Sequence, residues 1–297
     1  MIGVDIVTAI RARLTAELAP PPRSLRPWRV DGHVVGWLDE PRLARALRFS
    51  RVFRASDGGL AFAPEVAGFD ARTRALDEVA RTLAAEGALS AWRDERYAVA
   101  AELGGRPWLE LERAAARYFG IRTFAAHVNG LVREDGGVTV WFARRSPAKA
   151  IDPGRLDNLV GGGIAAGSSV AATVVKEAWE EAGIDAELAA RAVPAGTLEI
   201  CRGQPDGVQR ETIFVHDLWL PPGFAPAGHD GEVVAWRRVD VATAAQLIAN
   251  ATGADVVTAD ASLVVLDWLL REGAIPRASR EWPALDALRR PECASCD

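Results

Sequence analysis

Two hydrophobic periods alternate along this 297-residue chain. In residues 72–86 and 110–118 apolar positions return every three or four residues, the spacing of one helix face, while residues 33–37 form a short strand-like run. Pro20, Pro21 and Pro22, and then Asp57, Gly58 and Gly59, punctuate these segments. The first eighteen residues carry acid and base inside an apolar pattern, as an amphipathic helix does. From Phe119 the period changes to two: residues 124–132, a turn at 134–137 and residues 138–143 predict a hairpin. A glycine-rich loop and a helix follow within 162–184, then strand candidates at 196–201, 212–220 and 232–237, and a helix over 261–271. Ser168 or Ser169 is placed to cap the first of these helices, Val170, Val174 and Ala178 form its apolar stripe, and Gly183 suits the left-handed residue that ends it. Trp179, on its flank, is expected in the core. The pattern divides the chain into an amino-terminal α+β domain at 1–118, a domain of mixed strands and helices at 119–275, and a polar tail at 276–297.

Composition removes alternatives. With 49% hydrophobic and 25% charged residues the balance is that of an ordinary globular protein. A formal net charge of −5 argues against nucleic acid or an anionic membrane as the partner, and no apolar run approaches the roughly 18 residues of a membrane span. No secretory or membrane address is legible, and Cys201, Cys293 and Cys296 are too few and too scattered for a disulfide framework, so a cytoplasmic protein, monomer or homodimer, is expected. The Cys293–Cys296 pair is expected to lie in a mobile tail without a role. Lysine occurs only at Lys149 and Lys176, on either side of the glycine loop, in a chain otherwise rich in arginine. A lysine in such a chain suggests that a compact point charge is wanted where a planar fork would not serve.

The glycine loop and its helix carry the chemistry. Residues three and four apart on a helix share a face, so Glu177, Glu180 and Glu181 can bring their carboxylates to one hard cation. Crowded carboxylates repel unless something positive lies between them, and oxygen-only ligation suits Mg²⁺, with Mn²⁺ as substitute, rather than zinc. The four scattered histidines lack zinc-ligand spacing, and His127 and His216, inside strand-like runs, are expected to be packed or hydrogen-bonded.

The stretch GGIAAGSSVAATVVKEAWEEAGI, residues 162–184, resembles the Nudix box of hydrolases that cut diphosphate linkages. Gly162, Glu177, Glu180, Glu181, Gly183 and Ile184 match it; Ser168 and Lys176 stand where the box has a glutamate and an arginine that commonly pair, so the two departures read as one event. The phrases VVGWLDE, WRDERYAV, ERAAARYFG, FGIRTFAAHVNGLV, VWFARRSPAKAIDPGRLDNLVGGGIAAG, TIFVHDLWLPPGF, HDGEVVAW and SLVVLDWLLREG extend the resemblance to a Nudix subfamily with an amino-terminal accessory domain, often labelled as related to thiamine pyrophosphokinase. The resemblance implies an α/β/α sandwich with a mixed sheet, preceded by a smaller α+β domain. It implies Glu177, Glu180 and Glu181 as metal ligands, with the carbonyl of Gly162 or Gly163 as a further one, and Arg144 and Lys149 of the phrase ARRS-x-x-K as phosphate-binding cations. Arg145, alternating to the opposite face, is expected to be exposed to solvent. Glu232 in the HDGEV turn is a further ligand, the catalytic base, or an exposed turn acid beside Asp230.

The substrate implied is a small organic diphosphate, with oxo and oxy forms of thiamine diphosphate, cleaved to the monophosphate, as the leading class. For the organic half Trp92, Phe124, Trp141, His127 and Asn129 are available, although aromatics at strand spacing equally suit the core. The kinase label finds no support, since no Gly-x-x-x-x-Gly-Lys-Ser/Thr loop is present. The alternatives are a Nudix-fold binding or regulatory protein with reduced catalysis, and a hydrolase of ADP-ribose or another nucleoside diphosphate derivative.

Overall fold

A computed structural model describes residues 2–22 and 24–291, so the Cys293–Cys296 pair lies outside the described residues. The chain begins with α1 (Val4–Glu17) and continues through β1 (Arg26–Val30), β2 (His33–Leu38), α2 (Glu40–Ala46), β3 (Phe53–Ser56), β4 (Gly59–Phe62) and α3 (Phe69–Ala85). The amino-terminal unit is completed by β5 (Arg96–Val99), β6 (Leu109–Glu112), a 3₁₀ turn (Arg113–Ala115) and α4 (Ala116–Phe119). The helix expected over 110–118 is thus split: Leu109, Leu111 and Glu112 are buried on a strand paired with β5, and only the last residues coil. Strand pairing overrides the helical spacing of a short segment.

Strands β1 to β4 form a sheet in the order β2-β1-β4-β3. Trp28, Phe53, Phe62 and Phe119 meet over it, with Trp28 5.7 Å from Phe62 and 5.1 Å from Phe119, and α3 adds Leu76, Val79, Ala80 and Leu83 at helical spacing.

The second unit comprises β7 (Arg122–Glu134), β8 (Gly137–Arg145), β9 (Leu156–Asn158), β10 (Val160–Gly163), α5 (Val170–Ala182), α6 (Ala186–Ala189), β11 (Val193–Gln204), β12 (Gly207–Leu220), β13 (Val233–Asp240), α7 (Val241–Ala249), α8 (Ala259–Arg271) and α9 (Trp282–Ala287). Its mixed sheet runs β11-β12-β7-β8-β13, with β10 on β7 and β9 on β8; β7 and β12 are parallel, and β7 and β8 form the expected hairpin. β7 is buried on both faces, as a central strand must be, and its side chains alternate between two cores. Phe124, Ala126 and Val128 pack toward α5, while Ala125 and Leu131 pack toward α7 and α8. Helices on both faces of the sheet make the α/β/α sandwich.

Two segments outside the expected central domain join it. Val7, Ile10 and Leu14 of α1 pack against α7 and α8, and buried Arg13 donates to the carbonyl of Ile248 at 3.0 Å, at the end of α7, where the helix dipole favours a cation. Within the expected tail, α9 buries Leu285 in the same core. Cys201 on β11 is disulfide-bonded, a single cross-link that the spacing of three cysteines does not foretell. Among the described residues no helix is long and apolar enough to cross a membrane.

Candidate active site

Along one edge β7 changes partner, pairing with β10 at residues 125–128 and with β8 at residues 130–134. At this divergence a cleft is lined by His127, Arg145, Lys149, Asp157 and residues 161–163, and its other wall comes from the amino-terminal unit as Arg93, Tyr97 and Arg113. Gly162 and Gly163 lie in close approach to side chains: a Cβ at Gly162 would displace the Glu177 carboxylate, and one at Gly163 would overlap the Tyr97 hydroxyl. The two units also meet where the N–H of Ala166 donates to the carbonyl of Arg96 at 2.8 Å.

Helix α5 presents the acids. Ser169 caps it, accepting from the N–H of Ala172 at 3.2 Å; Val174 and Ala178 are buried beneath; and Gly183, at φ +64°, ends it. Lys176 Nζ lies 2.9 Å from both Glu177 Oε1 and Glu180 Oε2. Glu181 is buried and accepts from the N–H of Gly161 at 2.8 Å. The arrangement differs from the expected single cluster: Glu177 and Glu180 share one cation, Glu181 is turned onto the glycine strand, and among the described residues no three acid, histidine or cysteine side chains form a metal cage. Two carboxylates already sharing a positive charge, with oxygen donors only, fit a hard divalent ion.

The electrostatics follow from burial. Desolvation raises the Glu177 carboxyl above the usual range against the pull of Lys176, and raises that of Glu181 well above it against the Gly161 N–H. Burial alone would lower the Lys176 ammonium, but its bonds to Glu177 and Glu180 outweigh that and raise it. Glu232 behaves in the opposite sense to the buried acids. Burial raises it, yet the bond to Lys149 and the charges of Lys149, Arg93 and Arg113 hold it below the usual range.

The remaining expected residues divide. Lys149 lines the cleft and pairs with Glu232, which Arg93 also holds at 2.9 Å, so Glu232 is no free turn acid. Arg144 does not line the cleft; it is bonded to Asp255 and, at 2.8 Å, to the carbonyls of Gly154 and Ala254. Arg145, expected in solvent, lines it instead, bonded to Asp157 at 2.7 Å and to the carbonyl of Ile151 at 2.9 Å, where it shapes the loop carrying Lys149. Trp141 and Asn129 are not at the cleft either: Trp141 lies under Arg238, and buried Asn129 donates to Asp217 at 3.0 Å. His127 does line the cleft, its Nδ1 2.8 Å from Asn158 Oδ1, and buried His216 lies 3.3 Å from the carbonyl of Phe214. Phe124 is core. Trp179 is exposed and stacked on His229 at 4.3 Å, because the stripe of α5 faces the sheet and leaves its flank outside. Ser168 pairs with Thr173 at 3.2 Å and not with Lys176, so the two departures from the box do not replace one brace by another.

Sequence reasoning missed Arg93, Tyr97 and Arg113, and also Thr123, Gln209, Glu211 and Asp260, which line the cleft beside β12. The only signal was their setting: Arg93 and Tyr97 lie in WRDERYAV, and Arg113 in ERAAARYFG.

Residues 123–260 match the family model described as NUDIX domain, and residues 15–123 the one described as Domain of unknown function (DUF4743). Nudix hydrolase 20, chloroplastic, of Arabidopsis thaliana is 34% identical over 280 residues, which are 90% of this chain and 74% of that one. The chain belongs to the Nudix hydrolase family. Nudix hydrolase 24, chloroplastic, of the same plant is likewise 34% identical, over 91% of this chain and 73% of its own. An uncharacterised protein of Saccharomyces cerevisiae is 31% identical over 70% of this chain and 64% of that one. As a Nudix hydrolase the protein is a pyrophosphohydrolase, and the family generally uses a divalent cation.

Proposed function

We propose that this Nudix protein is a Mg²⁺-dependent hydrolase of a small organic diphosphate, with oxidised thiamine diphosphate, cleaved to the monophosphate, as the leading substrate class. The observation that carries this reading is the two-sided lining of the cleft. Beside the glycine strand stand Lys149, Arg93 and Arg113; beside β12 stand Gln209, Glu211, Asp260 and Thr123. Glu211 accepts from Thr123 and Gln209 at 3.0 Å each, and Asp260 pairs with Arg202 at 2.9 Å. Cations at one end suit phosphates. Carboxylates and an amide at the other suit a heterocycle bearing amino or cationic groups and would repel a further phosphate, which favours an organic diphosphate over a longer polyphosphate.

In this reading Glu177 and Glu180 hold the metal, with the Gly162 carbonyl as a third oxygen. When bound, the ion neutralises phosphate oxygens and lowers the pKa of a coordinated water. Glu181 fixes β10 through the Gly161 N–H. Lys149 exchanges Glu232 for a phosphate oxygen, and Glu232, so released, takes the proton of the attacking water. A binding or regulatory role is the second reading, favoured by Lys176, whose ammonium lies between two acids that the metal needs.

Turnover of oxo- and oxythiamine diphosphate, thiamine diphosphate, ADP-ribose and nucleoside diphosphates with Mg²⁺ tests the proposal. The oxidised thiamine diphosphates should give the highest kcat/KM. A higher value for ADP-ribose would overturn the substrate, and Mg²⁺-dependent binding without turnover of any of them would favour the second reading.

A further inference from the structure

The amino-terminal unit brings two arginines to the cleft by a single buried device. Glu112, only 2% exposed, accepts from the N–H of Arg93 at 3.0 Å and from the N–H of Ala114, next to Arg113, at 3.3 Å. One carboxylate therefore fixes both the 89–94 loop and the 3₁₀ turn. The loop is strained, with Ala91 at φ +61° and Asp94 at φ +55°, conformations that cost a residue with a Cβ and that cluster where a side chain must be aimed. Arg113 lies over the Tyr97 ring, 5.8 Å from its centroid, and is bonded to Glu95 at 2.7 Å; the same ring meets Gly163 of the glycine strand. Both residues line the cleft, and their side chains keep part of their surface exposed, Arg93 39% and Arg113 40%. Their charges reach the site, since Arg113 opposes the rise of Glu177, and both arginines help to lower Glu232.

We propose that Arg93 and Arg113, held by Glu112, are substrate-binding residues: a guanidinium clamp, supplied by the amino-terminal unit, for the terminal phosphate of the diphosphate. The proposal rests on the hydrolase reading above for the location of the phosphates. It gives the domain of unknown function a direct part in the active site. Arg93 is held by Glu232, which also holds Lys149. A phosphate entering between them takes the place of that carboxylate, and Arg113 closes on it from the Tyr97 side. Guanidinium suits this position because its planar fork meets two phosphate oxygens at once, which a lysine does not.

The test is titration calorimetry of the full chain with methylenediphosphonate and Mg²⁺, a probe with the charge of a diphosphate and a bridge that cannot be hydrolysed. Arg93→Gln and Arg113→Gln should each weaken binding about tenfold, and the double variant about a hundredfold. Arg113→Lys should recover about a third of the affinity lost in Arg113→Gln, and Glu95→Gln, which removes the partner but not the cation, should change affinity less than about twofold. If Arg113→Gln does not fold, Arg93→Gln and Arg113→Lys, with melting temperatures equal to wild type, carry the test. Wild-type affinity in folded Arg93→Gln and Arg113→Gln overturns the clamp, even where the wild type hydrolyses organic diphosphates and the hydrolase reading stands. Arginine-dependent binding in a protein that hydrolyses no diphosphate supports the clamp and removes the hydrolase reading. No binding to wild type overturns the clamp, and turnover of the organic diphosphates then decides the hydrolase reading separately.

Discussion

The two walls of the cleft are made differently. The Nudix wall consists of strand residues backed by one helix: β7 and β10 are paired in a ladder, and α5 packs behind them through a shared core. The amino-terminal wall consists of a strained loop and a 3₁₀ turn, fastened at Glu112 and touching the glycine strand through Tyr97. Behind the first wall α5 crowds acids that call for a cation, and the wall itself adds Lys149 and Arg145; the second wall supplies Arg93 and Arg113, which suit an anion. A motif read along the chain finds the acids of α5 and the glycine loop, because their residues are close in sequence. The second wall exists because two short segments converge on one buried carboxylate.

The largest effect that would break this contrast lies among the acids of α5. Glu177→Gln should keep the fold and reduce Mg²⁺-dependent turnover by about a hundredfold or more, since a charge that holds the metal is lost where the transition state needs it. Near-normal turnover would remove Glu177 from the metal site. The contact between the walls comes next. Gly163→Ala should destabilise the protein by about 2 kcal/mol, because the added methyl overlaps the Tyr97 hydroxyl. Combining it with Tyr97→Phe should recover about 1 kcal/mol in denaturant unfolding; strictly additive losses would mean that the units do not press on each other there.

A smaller effect separates two neighbouring arginines. Arg145→Gln should lower kcat/KM about tenfold by loosening the loop that carries Lys149, whereas Arg144→Gln should leave kcat/KM within about twofold and lower only the melting temperature. The reverse ranking would restore Arg144 to the site. The smallest effect is a pH dependence of stability. Burial raises the folded-state pKa of Glu181, so its ionisation opposes folding, and this penalty disappears as pH falls through the folded value toward the unfolded one. Without divalent metal, Glu181→Gln should therefore melt a few degrees above wild type at pH 7, and the difference should close on acidification. A difference that widens toward acid pH would show that the carboxylate is stabilised where it lies.

Much of the Nudix unit was legible because its determinants are local. The hairpin at 124–143, the cap at Ser169, the stop at Gly183 and the acids of α5 follow from period, capping and helical spacing, each a matter of a few residues. The amino-terminal unit was less legible, since β5 and β6 are four residues each and their burial, more than their pattern, decides their conformation. The side-chain assignments at the cleft failed where they depended on a neighbour from elsewhere in the chain. Arg144 follows Asp255 and the backbone at residue 254, and Trp179 finds His229 and no core.

By itself, then, the sequence determined a glycine loop and a capped helix that crowds three glutamates, and with them a diphosphate-cleaving family. Which cations face those acids was decided only in three dimensions. Lys176 turns onto Glu177 and Glu180, Arg144 turns away, and Arg93 and Arg113 arrive from another unit. The physical reason is one of range. Backbone period and capping act over one or two turns of chain, whereas a guanidinium takes the carboxylate or carbonyl that the fold places within reach, at any distance in sequence.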